Sequence, residues 1–463
     1  MKDKKITGAV TVLTMGCRVN QFETDLILEM GNDHGFCTTH SLEEADVIVV
    51  NTCSVTRESE RQARKLVRRL VREHPAARLV ITGCYAQRSP ETFANHPNVE
   101  LVVGNADKKQ LWDLWSRHLR QEVLDCTTTL AGGDSGVHGG GIALQGPLLE
   151  HSPDRARTLL QIQDGCDRQC TYCLIPRVRG PGLSMDPGRV LSQAQRFLAS
   201  GSRELVLLGI DIGSYGRELS PPSSLAEMVD ALLPLCTEAR LRLSSVDPMD
   251  LDDRLLERFH PGSPLCPHLH LSIQSGDDLV RKRMGRHGSR QEILDRIHRL
   301  RHINPGIVLG ADLIAGFPTE SEEAFGNTLD LVEAGGLTLL HVFPYSRRPD
   351  TPAAHFPSRV HLSEQTIRQR AAALRHMGKE MFRRRIEERL LRTADVLVER
   401  LDGGDAWGTS EDYQTVRFAN LLGDPHGSIR RVRLTGYDPV AESFSGVVPS
   451  FSTGLSTASV DNS

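Results

Sequence analysis

Three cysteines lie close together in one short loop, which reads Gly165-Cys166-Asp167-Arg168-Gln169-Cys170-Thr171-Tyr172-Cys173. The C-x-x-x-C-x-x-C spacing can aim three thiolates at one point and leave a fourth position open. A structural zinc site is normally closed by four ligands, often in two separated pairs. Three soft thiolates with an open position instead suit an iron–sulfur cluster that binds a further group at its bare iron. The loop therefore favours a catalytic cluster over a zinc site or unliganded thiols.

Cys17, Cys53 and Cys84 each follow a short apolar run that is typical of a buried strand. The runs span 9–14, 46–50 and 78–82, and a fourth spans 99–103. Helical patterns lie between them, and strands that alternate with helices indicate a parallel sheet. Because the carboxyl ends of such strands line one edge, cysteines 36 and 31 residues apart in sequence can converge there. We predict a second three-thiolate site; the alternative is that each cysteine is simply a small buried residue.

The elements that must position the cluster loop form a second α/β region. Six further strands with intervening helices are predicted between residues 158 and 343, which indicates a partial barrel, and the loop follows the first strand. Short alternating strands at ADVLVE, YQTVRF and IRRVRL predict a small β-barrel near the C-terminus. The predicted domains are 8–128, 155–388 and 389–449, with a flexible linker at 129–154 and a disordered tail at 450–463.

The composition of the 463-residue chain limits its partners. A net charge of −4 excludes binding of nucleic acid by bulk charge, so RNA contact would need local basic faces. No run of about 18 apolar residues occurs, and no membrane span is expected. Ten cysteines without dense pairing indicate cytoplasmic metal chemistry rather than a disulfide framework. Two candidate basic faces comprise Arg57, Arg61, Arg64, Lys65, Arg68 and Arg72, and Arg383, Arg384, Arg385, Arg389 and Arg392.

Several longer motifs surround the cysteines. They are TMGCRVNQFETD (14–25), NTCSVT (51–56), TGCYAQ (82–87), GCDRQCTYCLIPRVRG (165–180), LLGIDIGSYG (207–216), LRLSSVDP (241–248), HLHLSIQSGDDLVRKRM (268–284), ADLIAGFPTESEEAF (311–325) and HVFPYSRRPDTPAA (341–354). Together they resemble the methylthiotransferase family of radical S-adenosylmethionine (SAM) enzymes. The resemblance covers residues 8–446, nearly the whole chain.

The resemblance implies a flavodoxin-like N-terminal domain, a partial TIM-barrel SAM domain and a C-terminal RNA-binding TRAM domain. It implies that Cys166, Cys170 and Cys173 hold a [4Fe–4S] cluster that cleaves SAM to a 5′-deoxyadenosyl radical. Cys17, Cys53 and Cys84 would hold a second [4Fe–4S] cluster that carries the sulfur. One SAM would methylate this sulfur, and another would supply the radical that removes a hydrogen from carbon. Partners implied are a tRNA anticodon stem-loop, an electron donor such as flavodoxin or ferredoxin, and a sulfur donor.

Polar residues at predicted strand ends of the partial barrel are candidate SAM contacts. As a set they supply partners for an ammonium group, a carboxylate, ribose hydroxyls and an adenine. Each alone is more often a hydrogen-bonding residue of a barrel mouth. His268 and His270 alternate on one strand, and we interpret them as barrel-lining residues because no third metal ligand has suitable spacing. The candidate SAM contacts are Tyr172, Glu204, Asp211, Ser244, Gln274 and Asp312.

The form of the first motif resembles one branch of the family. Gly16–Thr24 fits G-C-[KR]-V-N-x-x-E-[TS], which resembles the branch acting at C2 of N6-threonylcarbamoyladenosine next to the tRNA anticodon. Branches acting on isopentenyladenosine or on a ribosomal protein side chain are the alternatives. A zinc-containing RNA-binding protein is the alternative of another class. Ser272 and Trp407-Gly408-Thr409-Ser410 depart from the family, which often has proline and glycine-histidine-threonine there.

Overall fold

The computed structural model describes residues 8–120, 141–150, 156–419 and 425–449. It divides into two compact units, one up to Phe382 and the other from Arg383. Most of the predicted linker at 129–154 and the whole predicted tail at 450–463 lie outside the described residues. The described part of the linker contains a short helix, α6 (Ile142–Gln145), whose apolar side chains are buried in the core of the first unit.

The first unit begins with a parallel five-stranded sheet. Its strands are β1 (Gly8–Thr14), β2 (Phe36–Thr38), β3 (Val47–Thr52), β4 (Arg78–Gly83) and β5 (Val99–Val103). Their spatial order is β2-β1-β3-β4-β5, which is the flavodoxin-like order. Every residue of β3 is buried, as its apolar sequence VIVVNT predicts for a central strand covered on both faces. The sequence prediction of a flavodoxin-like domain is confirmed.

The helices that cover this sheet are α1 (Arg18–Asp33), α2 (Arg57–Glu73), α3 (Cys84–Arg88), α4 (Glu91–Ala94) and α5 (Leu111–Leu119). In α2 the side chain of Thr56 accepts a hydrogen bond from the backbone N–H of Ser59 and begins the helix. Ala63, Val67 and Leu70 form its buried stripe against the sheet. The arginine-rich face of α2 therefore points away from the core, as the sequence predicts.

The partial barrel follows. Its parallel strands are β6 (Arg157–Gln161), β9 (Glu204–Leu208), β10 (Arg240–Leu243), β11 (His268–Gln274), β12 (Val308–Ala315) and β13 (Leu339–Pro344), and a small antiparallel pair is formed by β7 (Gln163–Asp164) and β8 (Leu183–Ser184). Two three-stranded sheets, β6-β9-β10 and β11-β12-β13, meet through a parallel bridge between Val246 and Leu271. Each strand thus lies beside its predecessor, and the predicted partial barrel is confirmed.

The helices of this region are α7 (Ile175–Arg179), α8 (Pro187–Ala199), α9 (Leu225–Leu232), α10 (Asp253–Glu257), α11 (Asp278–Met284), α12 (Arg290–Ile303), α13 (Glu322–Ala334) and α14 (Glu364–Arg389). The last predicted strand begins later than expected, because the backbone N–H of Leu337 donates to Val332 at the end of α13. Short 3-10 turns occur at Lys108–Gln110, Ile212–Ser214, Leu233–Leu235, Pro248–Asp250, Pro352–His355 and Ser358–Val360. No helix in the described parts of the chain is long and apolar enough to cross a membrane.

The second unit is a closed five-stranded barrel, in agreement with the predicted small β-barrel. Its strands are β14 (Thr393–Asp402), β15 (Asp405–Ser410), β16 (Thr415–Ala419), β17 (Ile429–Asp438) and β18 (Ser443–Val447), closed in the order β14-β15-β16-β18-β17. The sequence suggests that Arg389 belongs to a basic surface, but in the structure it does not. Its guanidinium is buried and pairs with Asp412 and Glu411 at 2.7 Å each, because a buried cation needs such partners.

Candidate active site

Cys17, Cys53 and Cys84 lie at one edge of the N-terminal sheet. Cys17 immediately precedes α1, Cys53 follows the last residue of β3, and Cys84 opens α3 directly after β4. Because β1, β3 and β4 are neighbours in the sheet, their carboxyl ends bring the three cysteines together. Burial, with smaller contributions from the nearby thiols of Cys84 and Cys17, raises the pKa of Cys53 to about 11. We call this group the sheet-edge triad.

Two glycines allow the backbone to approach closely enough to bring the cysteines of the sheet-edge triad together. Gly16 has a φ of +92°, and a Cβ added there would lie 2.5 Å from Sγ of Cys53. Gly83 has a φ of +98°, and its Cβ would lie 2.3 Å from the carbonyl oxygen of Thr52. Any side chain at Gly16 would therefore strain the backbone and push Cys53 away.

A buried charge network backs the sheet-edge triad. Arg179, at the end of α7, donates to Asn20 Oδ1 at 2.7 Å, to Glu23 Oε1 at 2.9 Å and to Asp164 Oδ1 at 2.8 Å. Burial raises the pKa of Cys17, and the guanidinium of Arg179 opposes that rise. Burial raises the pKa of Glu23, but Arg179 and Lys108 together outweigh this effect and lower the pKa to about 2. Within this network, the guanidinium of Arg179 is the positive charge that favours the thiolate form of Cys17.

One donor of this network has no partner among the described residues. Nε of Arg179 is buried and makes no hydrogen bond there. Asn105 Nδ2 lies 3.5 Å from Sγ of Cys84 and also donates to the carbonyl of Val178 at 2.8 Å. The thiolates and sulfides of an iron–sulfur cluster accept hydrogen bonds from donors that are directed at sulfur. The residues present fit such a cluster.

Cys166, Cys170 and Cys173 form the second group, the loop triad. The loop follows β6 and β7 and so leaves the carboxyl end of the first barrel strand, as predicted. Burial raises the pKa of Cys166 to about 12 and that of Cys173 to about 11. The N–H of Arg168 lies 3.4 Å from Sγ of Cys166, and the N–H of Ile175 lies 3.4 Å from Sγ of Cys173. These contacts orient the sulfurs.

The cysteines of the two triads are free thiols. None of the described cysteines forms a disulfide. Among the described residues, three ligand atoms that all lie within 4.8 Å of one another occur at His270, Asp312 and His341, and neither cysteine triad forms so tight a group.

Asp211 lies beside the loop triad. Its Oδ2 is 3.6 Å from Sγ of Cys166 and 2.7 Å from Nε of Arg168. Arg168 is itself held by Asp247 at 2.9 Å, and it also pairs with Asp250. The predicted candidate Asp211 thus belongs to an ion network at the barrel mouth.

Three other candidates lie at or near that mouth. Ser244 directly follows β10, and its buried Oγ has no hydrogen-bond partner among the described residues. Gln274 ends β11 with a φ of 73°, a strained conformation for a residue with a side chain. Tyr172 packs edge-on against Phe317 with ring centroids 6.5 Å apart, which is an ordinary packing contact.

Glu204 and Asp312 occupy other positions. Glu204 opens β9 at the amino end of the strand, opposite the mouth, and pairs with Arg240 at 2.5 Å and Arg242 at 2.7 Å. The structure therefore does not bring Glu204 together with the other SAM candidates, because its strand places it at the closed end. Asp312 lies within β12 and accepts hydrogen bonds from His270 and His341.

Residues 347–354, which we call the clamp segment, join the two triads. Arg348 donates to the carbonyl and Oγ of Ser54 at 3.0 and 3.1 Å, next to Cys53. At the other end of the segment, the N–H of Ala353 donates to the carbonyl of Thr171 at 2.8 Å, inside the cluster loop.

A second contact ties the clamp segment to α3, the helix that Cys84 opens. Arg88 donates to Asp350 at 2.8 Å and to Glu60 at 2.6 Å. Arg348 also pairs with Glu60. Arg88, Arg179 and Arg348 are not among the site residues predicted from the sequence. Arg179 and Arg348 fall inside matched motifs, but no spacing rule marks an arginine as buried.

Comparisons with known proteins agree with this architecture. Residues 9–104 match the family described as uncharacterized protein family UPF0004, and residues 160–332 match the radical SAM superfamily. The structure of the radical SAM methyltransferase TsrM from Kitasatospora setae is similar, with a TM-score of 0.55 at 13% identity over 74% of each chain. At that identity the likeness shows the fold alone. Fold and superfamily match define a radical SAM enzyme, whose cofactors are SAM and [4Fe–4S] clusters.

Curated relatives narrow the class. The threonylcarbamoyladenosine tRNA methylthiotransferase MtaB of Rickettsia prowazekii is 34% identical over 395 residues, 84% of this chain and 87% of the relative. The enzyme of the same name from Bacillus subtilis is 33% identical over 76% of this chain and 77% of the relative. The tRNA-2-methylthio-N(6)-dimethylallyladenosine synthase of Pelotomaculum thermopropionicum is 30% identical over 92% of this chain and 94% of the relative. The chain belongs to the radical SAM tRNA methylthiotransferase family.

The expectation of a radical SAM tRNA methylthiotransferase is thereby confirmed. The alternative of a zinc-containing RNA-binding protein receives no support from these matches.

Proposed function

We propose that this enzyme inserts a methylthio group at C2 of N6-threonylcarbamoyladenosine next to the anticodon of tRNA. The observation that carries the proposal is the similarity to relatives named for that nucleoside, five of which are 31% to 34% identical. Relatives named for dimethylallyladenosine are 29% to 32% identical. The form of Gly16–Thr24 supports the same branch.

The two triads take separate roles in this proposal. The loop triad, Cys166, Cys170 and Cys173, holds the cluster to which SAM binds, and the sheet-edge triad, Cys17, Cys53 and Cys84, holds the auxiliary cluster. When bound, these cofactors supply a 5′-deoxyadenosyl radical from one SAM, and a sulfur that a second SAM methylates. The clamp segment and Arg179 hold the two triads in a fixed relative position, because each contacts elements of both.

Four polar residues remain proposed SAM contacts. Asp211 and Ser244 lie at the carboxyl ends of neighbouring strands, and the unpartnered Oγ of Ser244 supports a hydrogen bond to a ligand. Tyr172 and Gln274 lie in the loop and at the end of β11. The ion pairs of Glu204 support a structural role within the barrel instead.

The partners follow from the same reaction. We place the enzyme in the cytoplasm with tRNA, an electron donor such as flavodoxin or ferredoxin, and a sulfur donor. The second unit, assigned to 389–449 as a TRAM-like domain, would contact RNA. There Trp407 packs against the guanidinium of Arg400 at 4.6 Å and that of Arg417 at 5.7 Å, a basic and aromatic surface that suits stacking on bases.

The test is the nucleoside content of tRNA from a strain that lacks the gene. Mass spectrometry should show that the 2-methylthio form of N6-threonylcarbamoyladenosine is lost while its precursor accumulates. Expression of the gene from a plasmid should restore the 2-methylthio nucleoside, whereas expression of a copy that carries Cys84→Ala should not. If the methylthio-threonylcarbamoyl nucleoside persists and the methylthio-dimethylallyl nucleoside is lost, the second substrate class is correct.

A further inference from the structure

Three adjacent strands bring one carboxylate and two imidazoles together in the partial barrel. His270 lies on β11, Asp312 on β12 and His341 on β13. His270 Nε2 lies 3.0 Å and His341 Nδ1 lies 3.2 Å from the same oxygen, Oδ1 of Asp312. The ligand atoms of the three residues all lie within 4.8 Å of one another. We call this group the histidine–aspartate site.

Strand register assembles this site. Asp312 and His341 are direct partners in the parallel pairing of β12 with β13. His270 pairs with Gly310 of β12, two residues before Asp312, so the side chains of His270 and Asp312 lie on the same face of the sheet. The two histidines are 42 and 29 residues from Asp312 in sequence. Spacing along the chain indicates no third ligand for His270, but the register provides two further ligands.

The distances between the ligand atoms suit one metal ion. Two bonds of about 2.1 Å from a metal to nitrogen or oxygen separate the ligand atoms by about 3.0 Å at a right angle and about 3.4 Å at a tetrahedral angle. The contacts of 3.0 and 3.2 Å at Oδ1 of Asp312 fall within this range. Both imidazoles face that one oxygen, whereas the hydroxyl of Ser272 lies 3.5 Å from the other. The three ligands therefore converge on a point, as ligands of a single ion do.

The site combines two sheltered ligands with one exposed ligand. A Cβ at Gly310 would lie 2.4 Å from Nδ1 of His270, so the His270 ring packs tightly against β12. The rings of His270 and His341 pack together with centroids 4.3 Å apart. The side chains of His270 and Asp312 are 9% and 18% exposed, whereas that of His341 is 64% exposed. An ion can thus enter on the side of His341 and keep water at its remaining positions.

The donor set decides which ion the site suits. Two histidines and one carboxylate with open positions are the ligands of mononuclear Fe²⁺ sites, and related divalent ions of the first transition row use the same donors. A neutral imidazole carries its proton on one nitrogen and a lone pair on the other, so the nitrogen that faces Asp312 can serve as the ligand.

We propose that His270, Asp312 and His341 bind one divalent first-row metal ion, with Fe²⁺ as the ion that the donor set suits best. The site contains no thiolate and is separate from both cysteine triads. It gives Asp312 the role of a metal ligand in place of the SAM contact expected from the sequence.

The test adds Fe²⁺ to an enzyme that already holds its clusters. The protein would be reconstituted anaerobically with ⁵⁶Fe, treated with a mild chelator and dialysed against ⁵⁷Fe²⁺ at graded concentrations. Mössbauer spectroscopy detects only ⁵⁷Fe, so the iron of the clusters does not contribute. We expect about one ⁵⁷Fe per chain, with the spectrum of high-spin Fe²⁺ bound by nitrogen and oxygen rather than by sulfur.

Two variants and a control assign this signal to the histidine–aspartate site. His341→Gln and Asp312→Asn should each weaken the binding of ⁵⁷Fe²⁺ at least about tenfold, because one of three ligands is lost. His341 is exposed, so its replacement should preserve the fold, which circular dichroism would verify. His302→Gln, which changes an exposed histidine of α12, should bind ⁵⁷Fe²⁺ as the wild type does.

The inference is overturned if the wild type retains no ⁵⁷Fe²⁺ with this spectrum, or if the ⁵⁷Fe enters only as sulfur-bound iron. It is also overturned if His341→Gln and Asp312→Asn both bind ⁵⁷Fe²⁺ as tightly as the wild type. The experiment needs no tRNA, so its outcome is independent of the proposed substrate.

Discussion

Arg348→Met is the substitution that most directly probes how the two triads are held together. The Arg348 side chain is only 4% exposed and pairs with Glu60. It also donates to the carbonyl and Oγ of Ser54 at 3.0 and 3.1 Å. Methionine fills similar volume without any donor, so the carbonyl of Ser54 loses its contact with the guanidinium. Glu60 keeps Arg88 at 2.6 Å and Oγ of Ser54 at 2.7 Å, and is not left unpaired.

These contacts set the expected magnitude. Hydrogen bonds from a charged donor contribute about 1.5–3 kcal/mol each, and the partners that Glu60 retains reduce the total. We expect the free energy of unfolding to fall by about 3 kcal/mol. The substitution should also slow the methylthio transfer, in addition to its effect on folding. Ser54 adjoins Cys53, and a displacement of about 1 Å between reacting groups can slow a reaction about a hundredfold.

The assay counts two products from the same reaction. After anaerobic reconstitution, mass spectrometry would quantify 5′-deoxyadenosine and the methylthio nucleoside. In Arg348→Met the yield of methylthio nucleoside per 5′-deoxyadenosine should fall at least about tenfold, with iron content unchanged.

The matched control is Arg370→Met. Arg370 is 6% exposed and pairs with Glu320 at 2.7 Å, a buried ion pair that contacts neither triad. The Arg370→Met variant should lose a similar free energy of unfolding and keep the wild-type ratio of methylthio nucleoside to 5′-deoxyadenosine. If both variants show the same ratio as wild type, Arg348 does not set the relative position of the triads.

Three other substitutions address the triads and the barrel. Cys84→Ala should leave about four of about eight irons per chain and retain SAM cleavage without methylthio transfer; transfer by this variant would contradict the assignment. Arg179→Met should lower the reduction potential of the auxiliary cluster in a redox titration, because a buried positive charge is removed, whereas Arg179→Lys should largely restore it. Glu204→Gln should destabilise the fold by about 3 kcal/mol at pH 7. Burial raises the pKa of Glu204, but Arg242 and Arg240 outweigh this effect and lower the pKa to about 2. The stability advantage of the wild type over Glu204→Gln should therefore be complete above pH about 4.3 and vanish as the pH falls toward 2. A constant difference in the free energy of denaturant unfolding between about pH 2 and 6 would contradict this.

The sequence predicts the parts of the fold that depend on local periodicity. β5 (Val99–Val103) and β9 (Glu204–Leu208) have the predicted bounds, because four of the five residues in each are apolar and these four are buried. β15 (Asp405–Ser410) was not predicted, since DAWGTS shows no clear alternation and is specified by its barrel neighbours.

The convergence of cysteines was also predictable, whereas the charged groups around them were not. The rule that strand ends share one edge locates Cys17, Cys53 and Cys84 together from sequence alone. Nothing in the sequence shows that Arg179 or Arg348 is buried, because arginines on a surface helix or loop look the same. The pairing of His341 with Asp312 depends on strand register, which sequence spacing does not determine.

The most direct test of the central claim is the nucleoside that the purified enzyme makes. Reconstituted enzyme, SAM, a reductant and a sulfide source would be incubated with an anticodon stem-loop that carries N6-threonylcarbamoyladenosine, and the digest analysed by mass spectrometry. We predict a nucleoside in which one methylthio group replaces the hydrogen at C2. An unmodified threonylcarbamoyladenosine, in a reaction where SAM is cleaved and a dimethylallyladenosine stem-loop is modified, would contradict the account.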